Sequence, residues 1–398
     1  MSLILTTAQR NKVLNEMAQL IAENKNTVLQ ANKADVTLYS GNELAVYDRL
    51  KVDDAKIEGM ILSLQQLVNA PDPVGNELYN FKHENGLKIV NKSAPFGTVL
   101  IIYESRPDVT VEAAGIAFKS GNKILLKGGK EALQTNLKIV ELWHKALQKF
   151  NISTNWVSYL NYNREETQQF LQNPTQKIDL IVPRGGEKLI AFVKEHAKCP
   201  VIVSGRGNNF LFVHEDADVE IALQTIINAK TAKISACNAL DKVLIHKNLP
   251  QKEVFIHNLI AKLLAFNVEI FGDKYLSSYK NVQPYSHSNI WFEEFLDYKI
   301  VLGEVASLEA AIDKINTYSG GHSAAIITKS NETADVFMES VDAAAVYVNA
   351  STRFTDGGQF GLGGELAIST DKIHHRGPMG LQHLVTNKWY VYGEGQIR

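Results

Sequence analysis

Thr98-Val-Leu-Ile-Ile-Tyr103-Glu-Ser-Arg-Pro-Asp108 and Lys123-Ile-Leu-Leu126-Lys-Gly-Gly-Lys-Glu-Ala132 share one pattern: an apolar run that stops at a polar or glycine-bearing turn. Lys177-Ile-Asp-Leu-Ile-Val182-Pro-Arg-Gly-Gly186 repeats it. Runs this short and β-branched read as buried strands, giving candidates at 98–103, 123–126, 156–160, 177–182, 201–204 and 210–213. Apolar residues at helical spacing fill 110–119, 130–149 and 186–196 between them. Strand and helix in alternation predict an α/β fold, a parallel sheet covered by helices. Ligands of such sheets sit at the carboxyl ends of the strands.

Upstream, Val13, Met17, Leu20 and Ile21 recur at helical spacing within a helical region over 6–70 that Pro71 and Pro73 end. Two β-prone runs, 78–82 and 87–90, flank Asn85-Gly86, which predicts a hairpin closed by a type I′ turn. A lone hairpin is marginal in water, so it must pack on its own domain or on another subunit. Downstream, strands at 242–246, 299–305, 324–328 and 345–349 and helices at 307–318 and 332–340 describe a second α/β domain. The tail Lys388-Trp-Tyr-Val-Tyr392 is aromatic and β-prone, and calls for docking.

The chain has 398 residues, enough for two or three domains, and its 45% hydrophobic content suits a globular core. A net charge of -2 gives no electrostatic reason to expect nucleic acid or an anionic membrane as partner. No apolar run reaches the roughly 20 residues of a membrane helix, and Met1-Ser-Leu-Ile-Leu5 does not read as a signal peptide. Two distant cysteines form neither a disulfide framework nor a zinc set, and a reduced, cytoplasmic setting is expected.

The turns carry the candidate chemistry. Arg184-Gly185-Gly186 and Lys127-Gly128-Gly129-Lys130 each join a strand to a helix, where backbone N–H groups and basic side chains can hold a phosphate. The G-x-G-x-x-G fingerprint is absent from the Arg184 turn, but two such turns in one sheet point to a dinucleotide. Arg106, at another strand end, can fork onto a carboxylate or phosphate. The loop Asn349–Glu365 is dense in glycine, hydroxyls and charge, which suits a binding loop. His374-His375 lacks the further donors of a metal site, and none is expected. Cys199 precedes Pro200 and an apolar run, as a small buried hydrophobe does. Cys237 follows the lysine-bearing Lys230-Thr-Ala-Lys233; local sequence leaves it open between a nucleophile activated by nearby positive charge and another buried thiol.

Taken in order, these pieces resemble the gamma-glutamyl phosphate reductase family of the aldehyde dehydrogenase superfamily. The resemblance rests on Pro95–Asp108, Ala117–Asn122, Leu126–Ala132, Ile181–Gly186, Ala229-Lys-Thr231, Cys237-Asn-Ala239, Glu294–Asp297, Ser319–Ala325, Val348–Gly357, Phe360–Gly363, His375–Gly380 and Gly393–Arg398. It implies a Rossmann-like cofactor domain (1–75 and 96–228), a catalytic domain (229–384) and a small β oligomerisation flap (76–95 and 385–398). It also implies reduction of an acyl phosphate, L-glutamyl 5-phosphate, to L-glutamate 5-semialdehyde, with Cys237, Asp108 and Asn238 as catalytic residues. Lys127, Gly128, Gly129, Lys130, Arg184, Gly185, Gly186 and Glu294 would bind the cofactor, and Arg106, Ser351, Thr352 and Arg353 the substrate. A homodimer or larger homo-oligomer and coupling to a glutamate 5-kinase are further expectations.

Three departures bear on this. Asp108 stands where relatives often carry an Asn whose amide helps hold the oxyanion; Ser204–Asn209 differs from the usual His/Asp-bearing segment; and Gly364 replaces a common Ala. Aldehyde-oxidising relatives need a glutamate to activate the water that cleaves their thioester, and Val201–Gly207 contains none. NAD-preferring relatives tend to carry an acid where Lys130 stands; a lysine would attract a ribose 2′-phosphate, so NADPH is the expected cofactor. A general aldehyde oxidiser, a thiol hydrolase using His246 or His374, and a non-catalytic nucleotide binder are the rival readings.

Overall fold

The computed structural model describes residues 5–41, 44–362, 364–372 and 374–398. Met1–Ile4, on which most of the signal-peptide reading rests, and Gly363 of the glycine-rich loop lie outside the described residues. The chain packs as two compact units, 1–203 with 361–367 and 379–398, and 204–360 with 368–378.

The first unit opens with four helices, α1 (Thr7–Glu23), α2 (Lys25–Leu38), α3 (Leu44–Leu50) and α4 (Asp54–Asn69). Thr6 starts α1 through a reciprocal capping box with Gln9, and Val13, Leu14, Met17 and Ile21 form its buried stripe. Then come β1 (Glu77–Lys82), β2 (Lys88–Pro95), β3 (Thr98–Tyr103), α5 (Val109–Lys119), β4 (Lys123–Lys127), α6 (Leu133–Lys149), β5 (Val157–Tyr159), α7 (Arg164–Gln172), β6 (Leu180–Arg184) and α8 (Glu187–His196). β5-β4-β3-β6 form a parallel sheet. Trp143 of α6 is fully buried, lies tilted against Phe118 of α5 with ring centroids 5.8 Å apart, and donates its indole N–H to the Thr110 carbonyl at 3.0 Å. Burial of a ring of this kind contributes about 2–3 kcal/mol.

Two local expectations need correction. Val201–Ser204 forms no strand, only an isolated bridge from Val201 to Ile181. The hairpin is not closed by a type I′ turn: His83 pairs with Leu87, and only Gly86 has positive φ (94°), while Asn85 does not. That is a three-residue loop ending in a left-handed glycine, and the Asn85 carboxamide oxygen accepts from the Leu87 N–H at 3.2 Å. β1 and β2 are joined by the tail strand β16 (Val385–Tyr392), which follows the short β14 (Ala367–Ser369) and β15 (Gly377–Met379) in the chain, in an antiparallel sheet of order β1-β2-β16.

The second unit contains β7 (Asn209–Val213), α9 (Val219–Thr231), β8 (Leu240–His246), α10 (Lys252–Ala265), β9 (Glu269–Gly272), β10 (Val282–Pro284), β11 (Lys299–Val305), α11 (Leu308–Tyr318), β12 (Ser323–Ile327), α12 (Asn331–Ser340) and β13 (Ala345–Val348). Its strands form one parallel sheet of order β10-β9-β11-β8-β7-β12-β13. β7 lies between β8 and β12, so the packing units divide at Val203/Ser204, whereas the sequence reading set the division at 228/229. α9 and α10 lie outside the predicted helices, although Asp218 caps α9 and Pro250 precedes α10. Every residue of β8 is buried, including Asp241, Lys242 and His246. Charged residues in a central strand demand partners, because burial without them is costly.

Candidate active site

In the second unit Cys237 occupies the turn between α9 and β8, three residues ahead of the strand and so at its amino end. The general rule for parallel sheets had pointed to carboxyl ends. The thiol is in no disulfide and is half-buried. Its backbone is locked from one side by Asn209, the fully buried first residue of β7. The Asn209 amide donates to the carbonyls of Gly207 (2.8 Å), Cys237 (2.7 Å) and Ala239 (2.7 Å). On the other side the Asn238 amide donates to the carbonyls of Arg353 (3.1 Å) and Thr355 (3.0 Å). Thr352 returns the contact, its hydroxyl donating to the Asn238 carbonyl at 2.8 Å.

These bonds decide what each side chain can do. Both donors of Asn238 hold the loop 351–355, so Asn238 braces the cysteine turn. Thr352 is fully buried and does the same. The Ser351 hydroxyl donates to Asn228 at 2.9 Å and accepts from the Arg353 backbone N–H. Thr355 ties the loop to the sheet, bonding Ser323 at 2.7 Å and Tyr347 at 2.6 Å. Arg353 is the exception. It is half-buried, and its Nε and Nη1 are enclosed with no hydrogen-bond partner. Burial lowers its pKa, opposed by the negative charge of the Cys237 sulfur and of Asp356. Enclosed, unspent guanidinium donors beside a cysteine fit an anionic substrate.

The sequence reading assigned the activating charge to the lysines before Cys237. Lys230 is fully buried and committed to Asp241 at 2.9 Å, and Lys233 is exposed. Arg353, 116 residues further on, is a cation that interacts electrostatically with the thiol, and no local signal linked the two.

The first unit gathers its candidates at the carboxyl ends of the neighbouring strands β4, β3 and β6. Ser105 has the left-handed φ of 42°, and Glu131 holds it there by accepting from its N–H (2.7 Å) and hydroxyl (2.6 Å). Arg106 pairs with Asp108 at 2.9 Å. Burial pushes the Asp108 carboxyl up, but Arg106, Lys56 and Arg184 together hold it below the usual range, so it is an anion. Glu112, in the first turn of α5, is pushed up to about 7 by burial and by the Asp108 charge. An ionised Asp108 accepts hydrogen bonds and cannot donate to an oxyanion as an Asn amide would.

The two glycine turns differ. Gly186 begins α8, but its N–H already donates to the Glu104 carboxylate at 3.0 Å. Arg184 lies 4.0 Å from Glu365. At the other turn, a Cβ on Gly128 would overlap the Asn136 amide and stand 2.9 Å from the Tyr159 hydroxyl, so any larger residue would have to displace these side chains. Lys127 donates to the Gly128 carbonyl at 2.9 Å, burial lowering its pKa, and Lys130 is exposed. The glycine turn with its two lysines is thus the better fit for a dinucleotide phosphate.

Other candidates resolve simply. Cys199 is half-buried and burial pushes its thiol up. His375 bonds the Pro378 carbonyl at 2.9 Å. Among the described residues no three His, Cys, Asp or Glu side chains converge as a metal set. His246 ends β8 while Cys237 precedes its start, about 20 Å away along the strand, so the two form no catalytic pair.

Residues 4–274 match the model of the aldehyde dehydrogenase family. The gamma-glutamyl phosphate reductase of Dictyoglomus thermophilum is 41% identical, the alignment covering 99% of this chain and 95% of that one. The crystal structure of gamma-glutamyl phosphate reductase from Thermotoga maritima matches with a TM-score of 0.93 at 39% identity, covering 99% of this chain and 95% of that one. An acetylating aldehyde dehydrogenase from Geobacillus thermoglucosidasius shares the fold, with a TM-score of 0.69 at 17% identity over 99% of this chain and 93% of that one.

Proposed function

The chain belongs to the aldehyde dehydrogenase family and, within it, to the gamma-glutamyl phosphate reductases, and on that premise we propose that it reduces L-glutamyl 5-phosphate to L-glutamate 5-semialdehyde and phosphate, in proline biosynthesis, with NADPH as reductant and Cys237 as nucleophile. The observation that carries this reading is the cysteine turn, locked by Asn209 and Asn238 beside the two unpartnered donors of Arg353.

The Cys237 thiolate attacks the acyl carbon, the bond from that carbon to the phosphate oxygen breaks, and phosphate leaves with the electron pair. NADPH, when bound, supplies the hydride that reduces the resulting thioester. As the carbon–sulfur bond then breaks, its electron pair returns to Cys237 and the aldehyde departs. The Cys237 backbone N–H is our candidate oxyanion donor. Arg353 and Arg106 receive the anionic groups of the substrate, with Ser351 and Thr352 shaping the loop that presents Arg353. Asp108, as an anion, acts by orienting Arg106.

We assign cofactor binding to Lys127, Gly128, Gly129 and Lys130, with Arg184, Gly185 and Gly186 beside them, and to Glu294. The exposed Lys130 favours a 2′-phosphate and so NADPH. The absence of glutamate from Val201–Gly207 suits an enzyme that exchanges its thioester with phosphate and has no use for activated water.

We also propose a homodimer or higher homo-oligomer built through the β1-β2-β16 sheet. Leu78, Phe81, Trp389 and Val391 on it are 44–61% exposed, an unusual apolar surface for a sheet facing water. The lability of an acyl phosphate favours supply from a nearby glutamate 5-kinase. No helix among the described residues is long and apolar enough to cross a membrane, and we place the enzyme in the cytoplasm.

The decisive experiment runs the reaction backwards. Glutamate semialdehyde should reduce NADP⁺ only when inorganic phosphate is present; phosphate-independent reduction would indicate a general aldehyde oxidiser.

A further inference from the structure

Two lysines lie fully buried beside the segment Glu293-Glu294-Phe295. Lys230, from α9, pairs with Asp241 at 2.9 Å, and the second oxygen of Asp241 accepts from the Phe295 backbone N–H at 2.9 Å. Lys242, the next residue of β8, donates to the Glu293 carbonyl at 2.8 Å and holds its ammonium 3.9 Å from the centre of the Phe295 ring. Lys230 approaches the same ring at 5.8 Å. Lys230 is neutralised by Asp241, whereas the partners of Lys242 are a carbonyl dipole and an aromatic face. Burial lowers the Lys242 pKa to about 7, against the opposing charges of Asp241, Glu293 and Glu294, and a cation over a ring recovers only part of the cost of burial.

Two contacts therefore grip the backbone on both sides of Glu294, and a third holds the Phe295 ring, all from two consecutive residues of the central strand. From this geometry we infer that Lys242, Asp241 and Phe295 are positioning residues that set Glu294 for the cofactor. The inference rests on the assignment of Glu294 to cofactor binding made above. It gives the charged face of β8 a purpose that core packing alone does not, since Met or Leu at 242 would fill the space without desolvating a charge.

The test measures NADPH binding directly, by the change in nicotinamide fluorescence on titration. Lys242→Met should weaken NADPH about tenfold, and Phe295→Leu, which keeps an apolar core residue, should act in the same direction. Glu294→Gln should weaken NADPH by itself, and adding Lys242→Met to it should cost little more, because both act through one carboxylate. The rate of Cys237 alkylation by iodoacetamide should stay at the wild-type value in both single variants, which separates loss of positioning from general loosening of β8. If Glu294→Gln weakens binding while folded Lys242→Met and Phe295→Leu bind NADPH as wild type does, the positioning role is overturned. If Glu294→Gln itself binds as wild type does, the cofactor assignment of Glu294 fails, and the positioning role with it. A changed alkylation rate also overturns the inference, since the substitutions would then be acting on the fold.

Discussion

Gly207 stands against Cys237 with no room for a side chain: a Cβ there would overlap the cysteine's carbonyl oxygen and lie 2.7 Å from its Cα. The obstructing atoms are backbone, so they cannot turn aside as a flexible side chain would. The same carbonyl accepts the Asn209 amide at 2.7 Å, which fixes its direction. Gly207→Ala should therefore displace the proposed nucleophile while leaving the sheets folded. Misplacement of a reacting group by about 1 Å can cost on the order of a hundredfold in rate, so turnover should fall by that order. Steady-state assay alongside circular dichroism checks it; a folded Gly207→Ala enzyme of wild-type activity would show that the contact is tolerated.

Cys237→Ala removes the only atom able to carry the acyl group in the proposed reaction. Reduction should be abolished, with NADPH affinity unchanged, because the assigned phosphate-binding lysines belong to a different loop of the chain. Substantial turnover in the variant would mean that hydride transfer does not pass through a thioester.

Lys130 offers a sharper test of cofactor choice. It is exposed, at the start of the turn Lys130–Ala132. Lys130→Glu should lower kcat/KM for NADPH by about tenfold or more and leave that for NADH nearly constant, since only NADPH carries the 2′-phosphate. Because an exposed charge is screened, the discrimination should shrink as salt is raised. Equal loss with both cofactors, or none with either, would remove Lys130 from the recognition of the phosphate.

How much of this could be read from the sequence depends on how far apart the interacting residues lie. β3 and β11 fall on the predicted residues, because apolar runs bounded by turns record burial locally. Lys127–Lys130 and Cys237 are likewise visible as local patterns. Arg353 as the cation near the thiol is not, nor is the Asn209 lock: both are contacts between residues well apart in the chain. The occupation of the Gly186 N–H by Glu104 is hidden for the same reason, though both residues end neighbouring strands. Lys242 misleads most, since a lysine in a strand pattern reads as solvent-facing, and here it is buried over Phe295. The hairpin turn failed differently: Asn-Gly suits a two-residue turn, but the pairing of His83 with Leu87 placed only the glycine in the left-handed region.

His322 gives the second unit an acid-sensitive point. It is fully buried just ahead of β12, its Nδ1 bonded to the Ser323 hydroxyl at 2.8 Å and its Nε2 without a partner. Burial pushes its pKa from 6.5 down to about 4. In the unfolded chain the imidazole accepts a proton as pH falls through about 6.5, while in the folded protein it stays neutral until about 4. Between those values the unfolded state binds more protons, so stability falls as pH falls, and levels off below the folded value. A shift of this size corresponds to roughly 3 kcal/mol of stability lost across the window. His322→Gln keeps a side chain that can bond Ser323 and never takes a charge, so it should be less stable than wild type at pH 7.5 by its imperfect fit. The gap should then narrow or reverse toward pH 4.5. Urea midpoints followed by a probe within the second unit, measured at both pH values, supply the comparison. Wild type and variant losing stability in parallel on acidification would assign the acid sensitivity to other groups and leave His322 titrating alike in both states.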